Sequence, residues 1–224
     1  MTRKTALITG ASSGIGACFA HHLARSGHDL ILVARSVDKL EALATELRAA
    51  HSIAVDVLPT DLAQPTPGAA LLERVAAIGR EVDVLVNNAG FGAAGLFHEI
   101  DAARQQQMIA LNVSAVVDLA HAFLPGMAAR GQGAVINVAS LAGFQPMPLM
   151  SVYAASKAFV LSFSEALALE LENDGITVTA VCPGSTATGF HSVAGSERSL
   201  VARFMDTAET VAKEAYKTLL AGER

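Results

Sequence analysis

Tryptophan is absent from the 224 residues, and tyrosine and cysteine occur only twice each. Two cysteines, Cys18 and Cys182, build no disulfide framework and no zinc-ligand spacing. Cys182 falls at the end of an expected strand and reads as a small buried hydrophobe rather than a reactive thiol. Positive charge is scarce: 16 Lys and Arg stand against 21 Asp and Glu, a net charge of −5. Nucleic-acid binding needs a basic patch, so that class of partner is excluded. No uninterrupted apolar run approaches the roughly 18 residues of a membrane span. Arg3-Lys4 precedes an apolar run too short for a signal peptide. The expectation is a soluble, cytoplasmic protein with no membrane partner. The seven histidines are scattered singly. His21 and His22 point in different directions on a helix, and His98 and His191 read as surface or loop residues. No metal is expected.

What the chain has is aliphatic: 52% of its residues are hydrophobic and only 5% aromatic. Length and composition suit one domain, residues 1–224, large enough to bury its own core. Six β-prone runs, at about Thr5–Thr9, Asp29–Ala34, Ile53–Pro59, Val82–Asn87, Gly133–Ser140 and Thr177–Cys182, alternate with helical patterns. The helices are expected near Gly14–Ser26, Val37–Ala50, Pro67–Gly79, Ala102–Arg130 and Val152–Asp174, with a last one after Asp206, for which Thr207 is the N-cap. Strict alternation predicts an α/β fold: a doubly wound parallel sheet of the Rossmann type, strand order 3-2-1-4-5-6. Ligands then bind at the carboxyl ends of the strands. Gly10, Arg35, Asp61, Asn88, Ser140 and Pro183 all fall at or just past those ends. Residues 184–206 are the most loop-like and are expected to cover a substrate.

Tyr153-Ala-Ala-Ser-Lys157 puts a phenol and an ammonium four residues apart, on one face of a helix. A phenol titrates near pH 10, and a fixed cation beside it favours the phenolate. Tyr153 is therefore a candidate general acid–base and Lys157 its tuner; alone, the pair reads as well as a solvated helix pair. Upstream, Thr9 leads into Gly10-Ala-Ser12-Ser13-Gly14-Ile15-Gly16 and then an amphipathic stretch. A strand, a glycine-rich turn and a helix N-terminus offer unpaired N–H groups to a pyrophosphate. Ser12 and Ser13 add hydroxyls. The spacing is Gly-x3-Gly-x-Gly rather than Gly-x-Gly-x-x-Gly.

With these motifs the chain resembles the short-chain dehydrogenase/reductase family, from about Lys4 to about Leu220. Asn87-Asn88-Ala89-Gly90, Asn112, Ser140, and Pro183-Gly184 with Thr188 match further family positions. The resemblance implies a catalytic set of Asn112, Ser140, Tyr153 and Lys157. Ser140 would orient a substrate carbonyl, and Tyr153 would protonate it. Lys157 would hold the nicotinamide ribose and lower the tyrosine's pKa, and Asn112 would hold a water linking Lys157 to solvent. The cofactor would lie against Gly10, Ser12, Ser13, Gly14, Ile15, Gly16, Asn88, Ala89, Gly90, Tyr153, Lys157, Pro183, Gly184 and Thr188. Asp61-Leu62 matches the family's adenine contact, although Asp61 reads equally as a turn aspartate.

Cofactor choice follows from the end of the second strand, where the carboxylate that would bind an NAD ribose is replaced by Ala34-Arg35. A guanidinium suits a 2′-phosphate, so NADP(H) is expected. Phe91, Leu141, Phe144, Met147, Met150 and Phe190 give an apolar pocket for a small carbonyl or alcohol. The helices at Ala102–Arg130 and Val152–Asp174 are apolar around most of their circumference, predicting a homo-oligomer, dimer or tetramer. The resemblance includes a seventh strand beyond Leu220 that this sequence lacks, so the sixth strand is expected at an open sheet edge and the pocket is expected to be broad. A cofactor-binding sensor without turnover and a sugar epimerase or dehydratase are the competing readings. The complete catalytic set disfavours the first, and the lack of room for a larger substrate portion disfavours the second.

Overall fold

A computed structural model describes residues 3–187 and 206–221. Six parallel strands form one sheet in the order β3-β2-β1-β4-β5-β6: β1 (Thr5–Thr9), β2 (Asp29–Val33), β3 (Val55–Val57), β4 (Val84–Asn87), β5 (Gly133–Val138) and β6 (Ile176–Val181). The order is the expected one. β1 and β2 are buried at every position, as strands covered on both faces must be. Helices α1 (Gly14–Arg25), α2 (Val37–His51), α3 (Pro67–Ala77), α4 (Ala102–Ile109), α5 (Ala115–Arg130), α6 (Ser151–Glu170) and α7 (Ala208–Ala221) alternate with the strands or follow them. One apolar core joins β1, β2 and β4 to α1, α2 and α7 through Phe19, Leu23, Leu40, Ala212 and Ala215. The other joins the opposite face to α3, α5 and α6 through Leu71, Leu119, Phe123 and Ala168.

Local chemistry explains the boundaries. Asp101 Oδ2 accepts the Arg104 N–H at 3.2 Å and caps α4. Thr207 Oγ1 accepts the Thr210 N–H at 3.1 Å, the cap expected for α7. α5 ends at Gly131, whose φ of 64° suits a residue without Cβ. The edge strand β3 is shorter than expected because only residues 55–57 pair with β2, at Leu30–Leu32, and Ser52 before it turns with φ 51°. The sixth strand is an edge, and among the described residues no strand pairs with its outer side.

Two features were not anticipated. The stretch Ala102–Arg130 is not uniformly α-helical: a π turn, Ala110–Ser114, separates α4 from α5. A two-residue parallel ladder, β7 (Thr186–Ala187) with β8 (Asp206–Thr207), also joins the ends of the segment between them. The expected cover of residues 184–206, with Thr188, Phe190 and His191, lies mostly outside the described residues. Finally, Ala102–Arg130 and Ser151–Glu170 are long and apolar enough, by length and composition, to cross a membrane. Neither is an uninterrupted apolar run; scattered polar residues leave their averages apolar. Here both lie on the sheet, with less than half of their apolar windows buried (39% and 44%).

Candidate active site

The site assembles where the strands end. Gly10 follows β1, Arg35 follows β2, Asp61 lies beyond β3, Asn88 follows β4, Ser140 lies beyond β5 and Pro183 beyond β6. The turn after β1 has Gly10 at φ 65° and Gly14 at φ 56°, conformations that L side chains rarely adopt. Gly16 is needed for another reason: a Cβ there would lie 2.5 Å from Asn88 Nδ2 and against the Gly10 carbonyl. Asn88 in turn holds the loop, donating from Nδ2 to the Thr9 carbonyl at 2.9 Å. Thr9, not singled out from the sequence, is the latch between strands. Its hydroxyl donates to the Val86 carbonyl at 3.0 Å and accepts the Asn88 and Ala89 N–H groups at 2.9 and 3.0 Å.

α1 opens beside this turn with an unspent positive end. Ser13 is its N-cap, the Ser13 side chain makes no capping bond, and no acidic residue occupies the first turn. Exposed N–H groups and the helix dipole there favour an anion. These features of the turn from Gly10 to Gly16, with Ser12, Ser13, Gly14 and Ile15 between, fit the pyrophosphate of a dinucleotide. Arg35 is exposed, with its charge felt by Asp61, whose carboxyl is held below the ordinary range. The main cause of that shift is hydrogen bonding within its own turn: Asp61 accepts Gln64 Nε2 at 3.2 Å and the Ala63 N–H at 3.1 Å. Asp61 is thus a turn aspartate, half of the reading given it from the sequence. Leu62 is buried among Leu7, Ile31 and Leu58, so its side chain belongs to the core.

Across the sheet, Tyr153 and Lys157 project from the first turns of α6 and are buried, at 9% and 6% exposure. Lys157 Nζ donates to the Val138 carbonyl at 2.7 Å and lies 5.9 Å from the centre of the Tyr153 ring. Ser140 Oγ accepts the Ala142 N–H at 3.1 Å, and a hydrogen bond joins its side chain to Tyr153. Asn112 sits at the π turn, fully buried, a geometry that recurs at functional positions. Its Oδ1 accepts the Phe91 N–H at 3.1 Å, while Nδ2 donates to the Phe91 carbonyl at 3.0 Å and to Ser156 Oγ at 3.1 Å. Gly90 lies between: a Cβ there would stand 3.0 Å from Asn112 Oδ1 and 3.6 Å from Lys157 Nζ. The four expected catalytic residues are therefore neighbours.

The electrostatics correct one expectation. In the chain by itself the Tyr153 pKa is not lowered. Burial pushes the phenol above its ordinary value, and the hydrogen bond with Ser140 only partly opposes it. Burial also brings Lys157 down to about 8. Its ammonium donates to the Val138 carbonyl and stands 5.9 Å from the ring centre, and in the chain alone burial of the phenol prevails. Cys182 is half-buried among Val116, Ala139 and Val160, with its thiol pushed up by burial, the inert character expected of it. Pro183 accepts the Leu141 N–H on its carbonyl at 3.0 Å and so joins the β6 end to the Ser140 loop. Gly184 follows it; Thr188 lies outside the described residues. Met108, Ala142 and Tyr153 form an apolar cluster with Phe91, Met147 and Met150, while Leu141 and Phe144 stand exposed at its rim. His98 is exposed, and among the described residues no group of three His, Cys, Asp or Glu side chains is placed to hold a metal.

The order of strands and the glycine turn at β1, with the Ser–Tyr–Lys grouping at the same edge of the sheet, define a dinucleotide-binding fold. The chain belongs to the short chain dehydrogenase family, whose model matches residues 4–199. It is similar to a short-chain dehydrogenase from Sphingobium yanoikuyae solved in complex with NADPH, with 41% identity and a TM-score of 0.92 over 98% of this chain and 85% of that one. It is also similar to the bulky-bulky ketone specific alcohol dehydrogenase from Comamonas testosteroni, with 35% identity and a TM-score of 0.87 over 100% and 85% of the two chains. Among curated proteins, the ketoacyl reductase HetN of Nostoc sp. is 36% identical over 184 residues, 82% of this chain and 64% of that protein. The chain spans less than two thirds of the length of this and other such relatives.

Proposed function

We propose that the chain is an NADP(H)-dependent oxidoreductase that interconverts a carbonyl and an alcohol on a small, mostly apolar substrate. The observation that carries this reading is the convergence of Ser140, Tyr153 and Lys157 on one buried spot, on the same edge of the sheet as the glycine turn. The cofactor, when bound, supplies or accepts the hydride. The chain's own residues supply position and a proton. In reduction, Ser140 Oγ donates to the carbonyl oxygen and fixes its direction. Tyr153 Oη is the acid: its proton goes to the substrate oxygen as the carbonyl carbon gains hydride, leaving an alcohol and a phenolate that is reprotonated from solvent. With a cofactor bound, Lys157 would hold the ribose hydroxyls and its charge would stabilise that phenolate. Asn112 keeps the π turn closed against Phe91, and with it the wall beside Gly90. In oxidation the same phenolate takes the proton back.

Arg35 supports the choice of NADP(H), since no carboxylate closes β2 and its guanidinium is free to meet a 2′-phosphate. The NADPH complex of the Sphingobium protein points the same way. The methionine and phenylalanine lining supports an apolar ketone or aldehyde, because methionine adapts to varied shapes. The test is direct: follow NADPH and NADH absorbance with the purified protein across ketones, aldehydes, diketones and steroids. Turnover of at least one carbonyl with NADPH preferred is expected. Tight NADPH binding with no turnover on any of them would leave only a cofactor-binding role.

A further inference from the structure

Three polar side chains lie in the middle of the apolar core without touching the proposed reacting groups. Asn87, Asn137 and Ser164 are 3%, 0% and 1% exposed. Asn87 and Asn137 are register partners on β4 and β5. Asn87 Nδ2 donates to Asn137 Oδ1 at 3.0 Å, Asn137 Nδ2 donates to Ser164 Oγ at 2.9 Å, and the Ser164 hydroxyl donates to the Val160 carbonyl at 2.6 Å. Asn87 Oδ1 is buried with no partner among the described residues. Leaving a buried polar group unpaired is destabilising, and apolar residues of similar shape avoid that cost. Packing alone therefore does not account for this ladder.

Its position does. Lys157 and Ser164 are seven residues apart on α6 and so lie in one stripe of that helix. Both meet β5: Ser164 through the Asn137 side chain, Lys157 through the carbonyl of the next residue, Val138. Two grips about two turns apart fix both the sliding and the rotation of α6 on β5. Ser140 lies two residues beyond Val138. At the other end, Asn87 directly precedes Asn88, which holds the glycine turn. We propose that Asn87, Asn137 and Ser164 are positioning residues, a buried ladder that sets the height of Tyr153 and Lys157 against Ser140 and the cofactor turn. This rests on the reading of Tyr153 and Ser140 given above.

The test compares wild type with Ser164→Ala and with the all-apolar triple variant Asn87→Val, Asn137→Val, Ser164→Ala. Paired apolar replacement should keep thermal stability near wild type. The expected result in the triple variant is kcat lowered at least about tenfold, with NADPH affinity and ketone KM changed by a smaller factor, since small misplacements are costly in rate. Ser164→Ala should show a smaller loss of the same kind, and Ser164→Thr, which keeps the hydroxyl, should hold kcat within about twofold of wild type. Hydrogen exchange by mass spectrometry supplies a readout independent of turnover: amides of residues 151–160 should exchange faster in both alanine-bearing variants while those of β1 and β2 do not. Wild-type kcat in both variants, or unchanged exchange in residues 151–160, overturns the proposal. If the wild type reduces no carbonyl, the proposed function has failed, and the exchange comparison still decides the ladder.

Discussion

Lys157 reaches Val138, not Tyr153: its ammonium donates to the strand-end carbonyl at 2.7 Å and stands 5.9 Å from the tyrosine ring centre. The bond anchors a charge that burial disfavours. In the chain alone the phenol is therefore kept protonated, the form needed for reduction. Tuning of Tyr153 by Lys157 would then come with the cofactor bound.

The buried lysine has a signature in stability. Its pKa falls from 10.5 to about 8 on folding, so the folded chain binds fewer protons than the unfolded one between those values. Below pH 8 the cost of burying the charge is fully present; it fades as pH rises to 10.5. Wild type should thus gain on Lys157→Met over that window, by about 3 kcal/mol at most. Urea denaturation of both proteins at pH 7 and pH 10 measures it. A gap independent of pH would show that the ammonium is solvated.

Arg35 should separate the two nicotinamide cofactors. Arg35→Ala removes a charge-assisted contact of about 1.5–3 kcal/mol, so NADPH affinity should fall roughly ten- to a hundredfold while NADH affinity changes little. Fluorescence titration with both cofactors decides it. Equal losses would show that Arg35 does not read the phosphate.

Assembly is the third expectation. Ile109, Phe159 and Leu169 are 37%, 42% and 59% exposed, and Phe159 stacks on Phe163 with ring centres 5.9 Å apart. Beside them an open apolar groove of about 530 Å³ is lined by Phe97, Ile109, Val113, Val152 and Ala155. A second copy would cover this face. Light scattering at micromolar concentration should give twice or four times the chain mass, and Phe159→Glu should shift it toward one. A monomeric wild type would contradict the expectation.

Much of this was legible in the sequence because each motif sits at a change of period. Thr5–Thr9 followed by Gly10-x3-Gly14-x-Gly16 marks a strand turning into a helix, and the positive φ at Gly10 and Gly14 is what those glycines were needed for. The strand order followed from alternation together with right-handed crossovers. The π turn at Ala110–Ser114 was not drawn from the helical pattern, because the pattern does not show the tie from Asn112 to Phe91 that accompanies the wider turn. The sign of the Tyr153 shift was not legible either, because four-residue spacing places Lys157 on the right face but says nothing of its bond to Val138 or of burial. One signal went unused. Asn137 interrupts an otherwise apolar strand, Gly-Ala-Val-Ile-Asn-Val, and a lone amide there calls for a buried partner.

The most direct test of the account is the carbonyl-reduction rate of Tyr153→Phe, with NADPH affinity measured on the same preparation. Removing the hydroxyl leaves the ring, the helix and the cofactor turn in place, so NADPH binding should stay near wild type. Turnover should fall by about a hundred- to ten-thousandfold, the range of a lost general acid. Near-wild-type reduction by Tyr153→Phe would contradict the account, because the proton would then come from somewhere other than the residue around which the site is read.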